Sequence, residues 1–289
     1  MTTYGYVGLG MMGSAMVEQL VSTGADVSVF DVDEAAVGAA VNRGARGATS
    51  ATEVGEQSDI VSICVPAAAH IESVLSGQAG LGDCVNGPRT ILIHSTVAPA
   101  TVTAAAQTAQ GWGAKVFDAC VAGGADNARI GELAIFAGGV DDMAQEVRDL
   151  LDIFGSKVIA AGPVGSGAAL KIAVNVMTYA QFAAAAHSYD LITEAGADPN
   201  ALYEAWRHIG QLGKLTESFI GLLGIPQAHI VGDFRSTLET QVGIAEKDLD
   251  LALELGSSRA TASAVVAEIR AAMPTIYQVD QPDTGVPES

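Results

Sequence analysis

Through its first half the chain alternates short apolar runs with longer amphipathic segments. The runs lie at 4–8, 27–30, 60–65, 90–93, 115–118, 133–137 and 158–160. Between them, 11–23, 34–42, 67–75, 98–110 and 143–154 space their apolar residues as helices do. A strand with no polar side must be buried on both faces, and a parallel crossover needs a helix. The alternation therefore predicts a parallel sheet covered on both faces. Gly24, just past the first helix, is expected to end it as a left-handed residue.

After Gly167 the pattern changes. Ala168 to Ala195 contains neither proline nor glycine and is rich in alanine, which predicts a helix of about 28 residues, ~42 Å long. Segments 199–210, 214–223, 237–256 and 258–272 also read as helices, and the polar tail from Asp280 is expected to fray. The expected fold is α/β: a Rossmann-type, doubly wound N-terminal domain over 1–162, then an all-α C-terminal domain over 163–289 for substrate binding and oligomerisation. A long interdomain helix joins them.

Composition narrows the partners. The balance of 14 Lys+Arg against 33 Asp+Glu gives a net charge of −19, which repels phosphate backbones and anionic lipid. Nucleic acid and membrane are excluded on that ground, and a small molecule is the expected partner. No apolar run approaches the roughly 18 residues of a membrane span, and no basic segment precedes an apolar one at the start. Cys64, Cys84 and Cys120 stand far apart and are odd in number, so a disulfide framework is not indicated; a cytoplasmic setting is expected. The five histidines show no metal-ligand spacing such as HExxH and are read as structural, with no metal expected. An alanine-rich helical domain exposes more apolar surface than one copy leaves wet, which predicts a homodimer or homotetramer.

Gly8-Leu9-Gly10-Met11-Met12-Gly13 is a G-x-G-x-x-G set between the first strand and the first helix. In that context the glycines allow a tight turn and close approach of the backbone to a pyrophosphate. The helix N-terminus then faces the phosphates. An acid is required about 20 residues on, at the end of the second strand, and Asp31 stands there. Its carboxylate would bind the adenosine ribose hydroxyls and repel a 2′-phosphate. No arginine precedes Arg43, so NAD is expected over NADP.

Further along, Lys171 and Asn175 are four residues apart and share one face of the long helix, so both can act on one small molecule. Three segments carry a resemblance. Asp118-Ala119-Cys120-Val121-Ala122-Gly123-Gly124 is similar to the DAPVSGG segment of the 3-hydroxyisobutyrate dehydrogenase family, the β-hydroxyacid dehydrogenases related to 6-phosphogluconate dehydrogenase. Gly162 to Asn175 is similar to that family's GxxGxGxxxKxxxN, and the run from Lys247 and Asp248 to Ala252 is similar to its KDLxLA. With the glycine turn and Ser95-Thr96-Val97, the resemblance spans nearly the whole chain in the family's order.

The resemblance implies an NAD(P)-dependent dehydrogenase or reductase acting on CH–OH. It implies Lys171 as general acid/base and Asn175 as the residue that orients substrate or lysine. Ala122, Gly123 and Gly124 would lie at the substrate carboxylate, with Lys247 reaching cofactor and substrate. Gly8, Leu9, Gly10, Met11, Met12, Gly13, Asp31, Val65, Pro66 and Thr96 would hold the cofactor. A lysine amine can take the hydroxyl proton when burial and neighbouring positive charge favour its neutral form.

Several positions depart from the family pattern. Cys120 and Ala122 replace its proline and serine, Val176 replaces a second asparagine, and His187 stands where an acid is common. The missing serine hydroxyl implies a substrate other than simple 3-hydroxyisobutyrate. Three alternatives share the architecture: imine reduction, which Lys171 argues against; decarboxylation of a sugar phosphate, for which Arg207, Arg235, Arg259 and Arg270 are few; and a non-catalytic dinucleotide-binding protein.

Overall fold

A computed structural model describes residues 2–256 and 260–281. The chain divides into two compact units, Met1–Lys171 and Ile172–Ser289. The first runs β1 (Tyr4–Val7), α1 (Met11–Ser22), β2 (Val27–Phe30), α2 (Glu34–Asn42), β3 (Arg46–Gly47), α3 (Ala51–Glu56), β4 (Ile60–Ile63), α4 (Ala68–Ser76), β5 (Thr90–Ile93) and α5 (Pro99–Gln110). It continues through β6 (Lys115–Ala122), α6 (Gly124–Arg129), β7 (Ala134–Gly138), α7 (Gln145–Phe154), β8 (Lys157–Gly162) and the start of α8 (Ser166–Glu194).

The eight strands form one sheet in the order β3-β2-β1-β4-β5-β6-β7-β8. Tyr4 of β1 pairs in parallel with Val27 of β2 on one side and Ile60 of β4 on the other. The winding direction reverses there, and in open α/β sheets the crevice at such a point takes the ligand. Strands β4 and β5 are buried along their whole length, as their continuous apolar sequence requires. Tyr6, Met16, Leu20, Ile135 and Phe154 join the main core, and a side chain of this size adds roughly 1.5–3 kcal/mol when fully buried.

The sheet is not wholly parallel. Strand β6 runs past the expected end at Asp118 to Ala122, and β7 pairs with it antiparallel, Ala119 with Ala137 and Ala122 with Ala134. Residues 123–133 are too few for a full crossover, so the chain turns back instead. Pairing becomes parallel again between β7 and β8. Three short elements, β3, α3 and α6, lie where no periodic signal predicts them. Gly24 takes the expected left-handed backbone after α1 (φ 79°).

In the second unit the remainder of α8 packs with α9 (Pro199–His208), α10 (Lys214–Leu223), α11 (Gly232–Leu255) and α12 (Ala260–Ile276). Helix α8 is 29 residues long, as the alanine-rich run predicts. Helix α11 begins five residues before the expected Thr237, and α12 continues past Ala272 through Pro274. The core here is aromatic: Phe182 stacks on Phe219 at 4.2 Å, and Tyr277 meets both edge-on. Residues 282–289 of the tail expected to fray lie outside the described residues.

Candidate functional site

The three glycines of the first turn serve different ends. At Gly8 the backbone is left-handed (φ 97°), and an added Cβ would overlap the Cys64 carbonyl of β4. At Gly13 it would overlap the Gly8 carbonyl, so the helix could not seat on the strand. Gly10 has ordinary backbone angles (φ −61°, ψ −173°), and a Cβ there would meet no atom within 4 Å. Packing explains the first and third glycines and leaves the second without an internal reason.

Gly10 caps α1 with no side-chain hydrogen bond to the first turn, whereas Asp33 and Ser50 cap α2 and α3 through their side chains. Open space beside uncapped N–H groups fits a phosphate. The residues present therefore fit a dinucleotide. Asp31 braces the turn: its Oδ2 accepts from the Leu9 N–H at 2.5 Å and its Oδ1 from the Asp33 N–H at 2.9 Å. The side chain is held at the mouth of the turn and remains partly exposed.

Beside this turn the carboxyl ends of the next strands are tied together. The Val65 N–H donates to Ser95 Oγ at 2.9 Å, joining the segments after β4 and β5. The Cys120 thiol donates to the Ser95 carbonyl at 3.3 Å, joining β5 to β6. Val65, Pro66, Thr96 and Ala122 thus follow one another along an edge that begins at the glycine turn. Cys120, which replaces the family's proline, is fully buried and acts as a tether. Ala122 is the last residue of β6; Gly123 (φ 136°) and Gly124 (φ 81°) follow, both in backbone that favours glycine, and α6 starts from them without a side-chain cap. Successive N–H groups in such a turn suit an anion.

Asp118 is a structural residue of this region that pattern reading did not single out. Wholly buried in β6, it accepts from the Gly165 N–H through Oδ1 and from the Ala168 N–H through Oδ2, both at 2.8 Å. The carboxylate satisfies orphan donors at the start of α8 and meets the positive end of its dipole. Gly167 seats the helix closely, since a Cβ there would overlap the Phe136 carbonyl of β7. Lys171, half-buried, lies one turn beyond Ala168 on this moored segment. A lone acid inside the apolar run KVFDACVA was the signal available in the sequence.

The second unit holds its own cluster. Asn175 Nδ2 donates to Asp248 Oδ2 at 2.5 Å, the Tyr179 hydroxyl donates to the same oxygen at 3.4 Å, and Lys247 Nζ lies 2.8 Å from Asp248 Oδ1. Asp248 is 2% exposed and Asn175 7%. Burial, and then the Asp248 charge, push the Tyr179 phenol well above its usual range, so it is neutral and donates.

His94 is structural. It bridges the Ala119 carbonyl and Ser62 Oγ between Tyr6 and Phe154, and burial lowers its pKa to about 4. Among the described residues no group of three or more His, Cys, Asp or Glu side chains could hold a metal ion, and no helix is long and apolar enough to cross a membrane.

A doubly wound sheet with an open, uncapped glycine turn at its switch point defines a dinucleotide-binding protein of the Rossmann class. Residues 3–162 match the NAD binding domain of 6-phosphogluconate dehydrogenase. The 3-hydroxyisobutyrate dehydrogenase of Pseudomonas aeruginosa is 33% identical over 254 residues, which cover 88% of this chain and 85% of that one. The chain belongs to the 3-hydroxyisobutyrate dehydrogenase family of oxidoreductases. Solved structures share its fold, among them the following two. That of Mycobacterium tuberculosis 3-hydroxyisobutyrate dehydrogenase with L-serine has a TM-score of 0.76 at 22% identity, over 97% of this chain and all of that one. Psf3 in complex with NADP+ and 2-OPP has a TM-score of 0.81 at 19% identity, over 97% and 96%.

Proposed function

We propose that the chain is an NAD-dependent dehydrogenase that moves a hydride between a β-hydroxyacid-like alcohol and the nicotinamide, with Lys171 as general acid/base. We propose further that simple 3-hydroxyisobutyrate is not its substrate. The observation that carries the reading is the mooring of α8 by Asp118 on β6, the strand that ends in Ala122. Lys171 and the glycine pair after β6 are thereby built on one rigid frame, as positioned proton transfer requires.

NAD, when bound, supplies the hydride acceptor. Lys171 takes the hydroxyl proton during oxidation and returns it to the alkoxide oxygen during reduction. The N–H groups at Gly123 and Gly124 bind the acid end of the substrate, and Asn175 orients it. Asp31 selects against a 2′-phosphate, since Asp33 adds charge of the same sign and Arg43 is engaged with Glu18 on α1. The NADP+ of the Psf3 complex belongs to a protein only 19% identical. Ala122 offers no hydroxyl where the family has one, which suits a bulkier or less polar acyl end.

Lys171→Ala tests the proposal across a panel of β-hydroxyacids, amines and sugar acids. The expected result is a kcat lower by roughly two to four orders of magnitude, with NAD+ affinity unchanged. A variant with near-normal kcat on the best substrate of the panel would overturn it.

A further inference from the structure

We infer that Asp248 is a positioning residue that fixes the orientation of the Asn175 amide, so that its carbonyl oxygen, a hydrogen-bond acceptor, is the end turned away from Asp248. The inference rests on the functional reading above. A carboxylate oxygen can only accept, so the Asn175 group placed 2.5 Å from Asp248 Oδ2 is its NH2. The carbonyl oxygen is thereby turned away from Asp248. An amide free of such a partner could present either end.

The rest of the cluster makes that choice rigid. Asp248 is 2% exposed, and a buried carboxylate must be paired. Lys247 supplies the opposite charge at Oδ1, and the neutral Tyr179 hydroxyl faces Oδ2 beside Asn175. Leu249, the next residue of α11, is fully buried in the aromatic core, which anchors the backbone carrying the carboxylate. Asn175 stands one helical turn along α8 from Lys171. A fixed carbonyl there accepts from a substrate hydroxyl or from an ammonium group. Asp248 so serves the reaction through Asn175 without touching substrate.

The test is a double-mutant cycle on the full chain with Asp248→Asn, Asn175→Ala and the pair, assayed with NAD+ and the β-hydroxyacid that the wild-type chain turns over fastest in the panel above, at saturation. Asp248→Asn can turn its own amide either way and so frees that of Asn175. Each single variant is expected to lose roughly 10- to 100-fold in kcat, the scale of one hydrogen bond to a charged group. NAD+ affinity should be unchanged, and the pair should be no slower than Asn175→Ala alone. Losses that add in the pair would mean that Asp248 acts elsewhere, and wild-type kcat in Asp248→Asn would equally overturn the inference. Unchanged kcat in Asn175→Ala would overturn both this inference and Asn175's part in the reaction, whereas Lys171→Ala tests that reaction independently. Should Asp248→Asn not fold, the exchange Asn175→Asp with Asp248→Asn keeps one carboxylate against one amide. A kcat above that of Asn175→Ala then supports the inference, and one at or below it overturns it.

Discussion

Replacing Gly10 by alanine separates the glycine that serves a ligand from those that serve the fold. Its backbone angles suit any residue, and the new methyl would meet no protein atom within 4 Å. Removing a flexible residue from a compatible position gains about 0.4–1 kcal/mol, and alanine is a poor N-cap, so stability should change by less than about 1 kcal/mol. Gly8→Ala is the contrast. It places a side chain at φ 97° against the Cys64 carbonyl, with backbone strain of about 1–3 kcal/mol and overpacking of a similar size. A methyl at Gly10 instead occupies the space left for a phosphate. The loss of one charge-assisted hydrogen bond is about 1.5–3 kcal/mol, or roughly 10- to 150-fold in Kd. Thermal unfolding and calorimetric titration with NAD+ read the two effects separately. The reasoning fails if Gly10→Ala melts as early as Gly8→Ala, or if it binds NAD+ like the wild type.

The wild-type chain should bind NAD+ more tightly than NADP+, because Asp31 meets a 2′-phosphate with like charge; titration with both decides, and equal or tighter NADP+ binding would show the carboxylate serving only to brace Leu9 and Asp33. His94 gives a pH dependence of stability. Its folded pKa of about 4 lies below the unfolded value near 6.5, so between them the unfolded chain binds the extra proton and stability falls as pH drops, by up to about 3 kcal/mol. Urea unfolding at pH 7 and near pH 4.5 should show this loss reduced in His94→Gln, and an equal loss in that variant would assign it to other groups.

What could be read from the sequence was whatever repeats or stands next to a repeat. The apolar strands, the alanine-rich helix and the glycine turn announce themselves because burial on both faces, helix propensity and backbone freedom each leave a local mark. The reversal at β7 left none, since Ala134–Gly138 has the same apolar character whichever way it runs. Asp118 and its partners Gly165 and Ala168 are separated by 47 and 50 residues, so the sequence shows an acid and two glycine-rich stretches without the bonds between them. Asp248 likewise reads as one charge among several on an amphipathic helix, and only packing shows that it is buried against Asn175.

The Asp118 bonds also decide where this chain can be divided. The alternating pattern ends at Gly162, and a fragment cut there would look complete by its strands. It would leave a fully buried carboxylate without either N–H partner, a defect that costs on the order of 3–5 kcal/mol. Extending the fragment to Lys171 retains both bonds. Any exchange of helical units between relatives, in the laboratory or by recombination, should therefore be tolerated only when the junction falls within α8 beyond Ala168. The start of that helix is inherited with the sheet, and when the junction falls at the unit boundary after Lys171, the lysine travels with the cofactor turn rather than with the helical unit that follows.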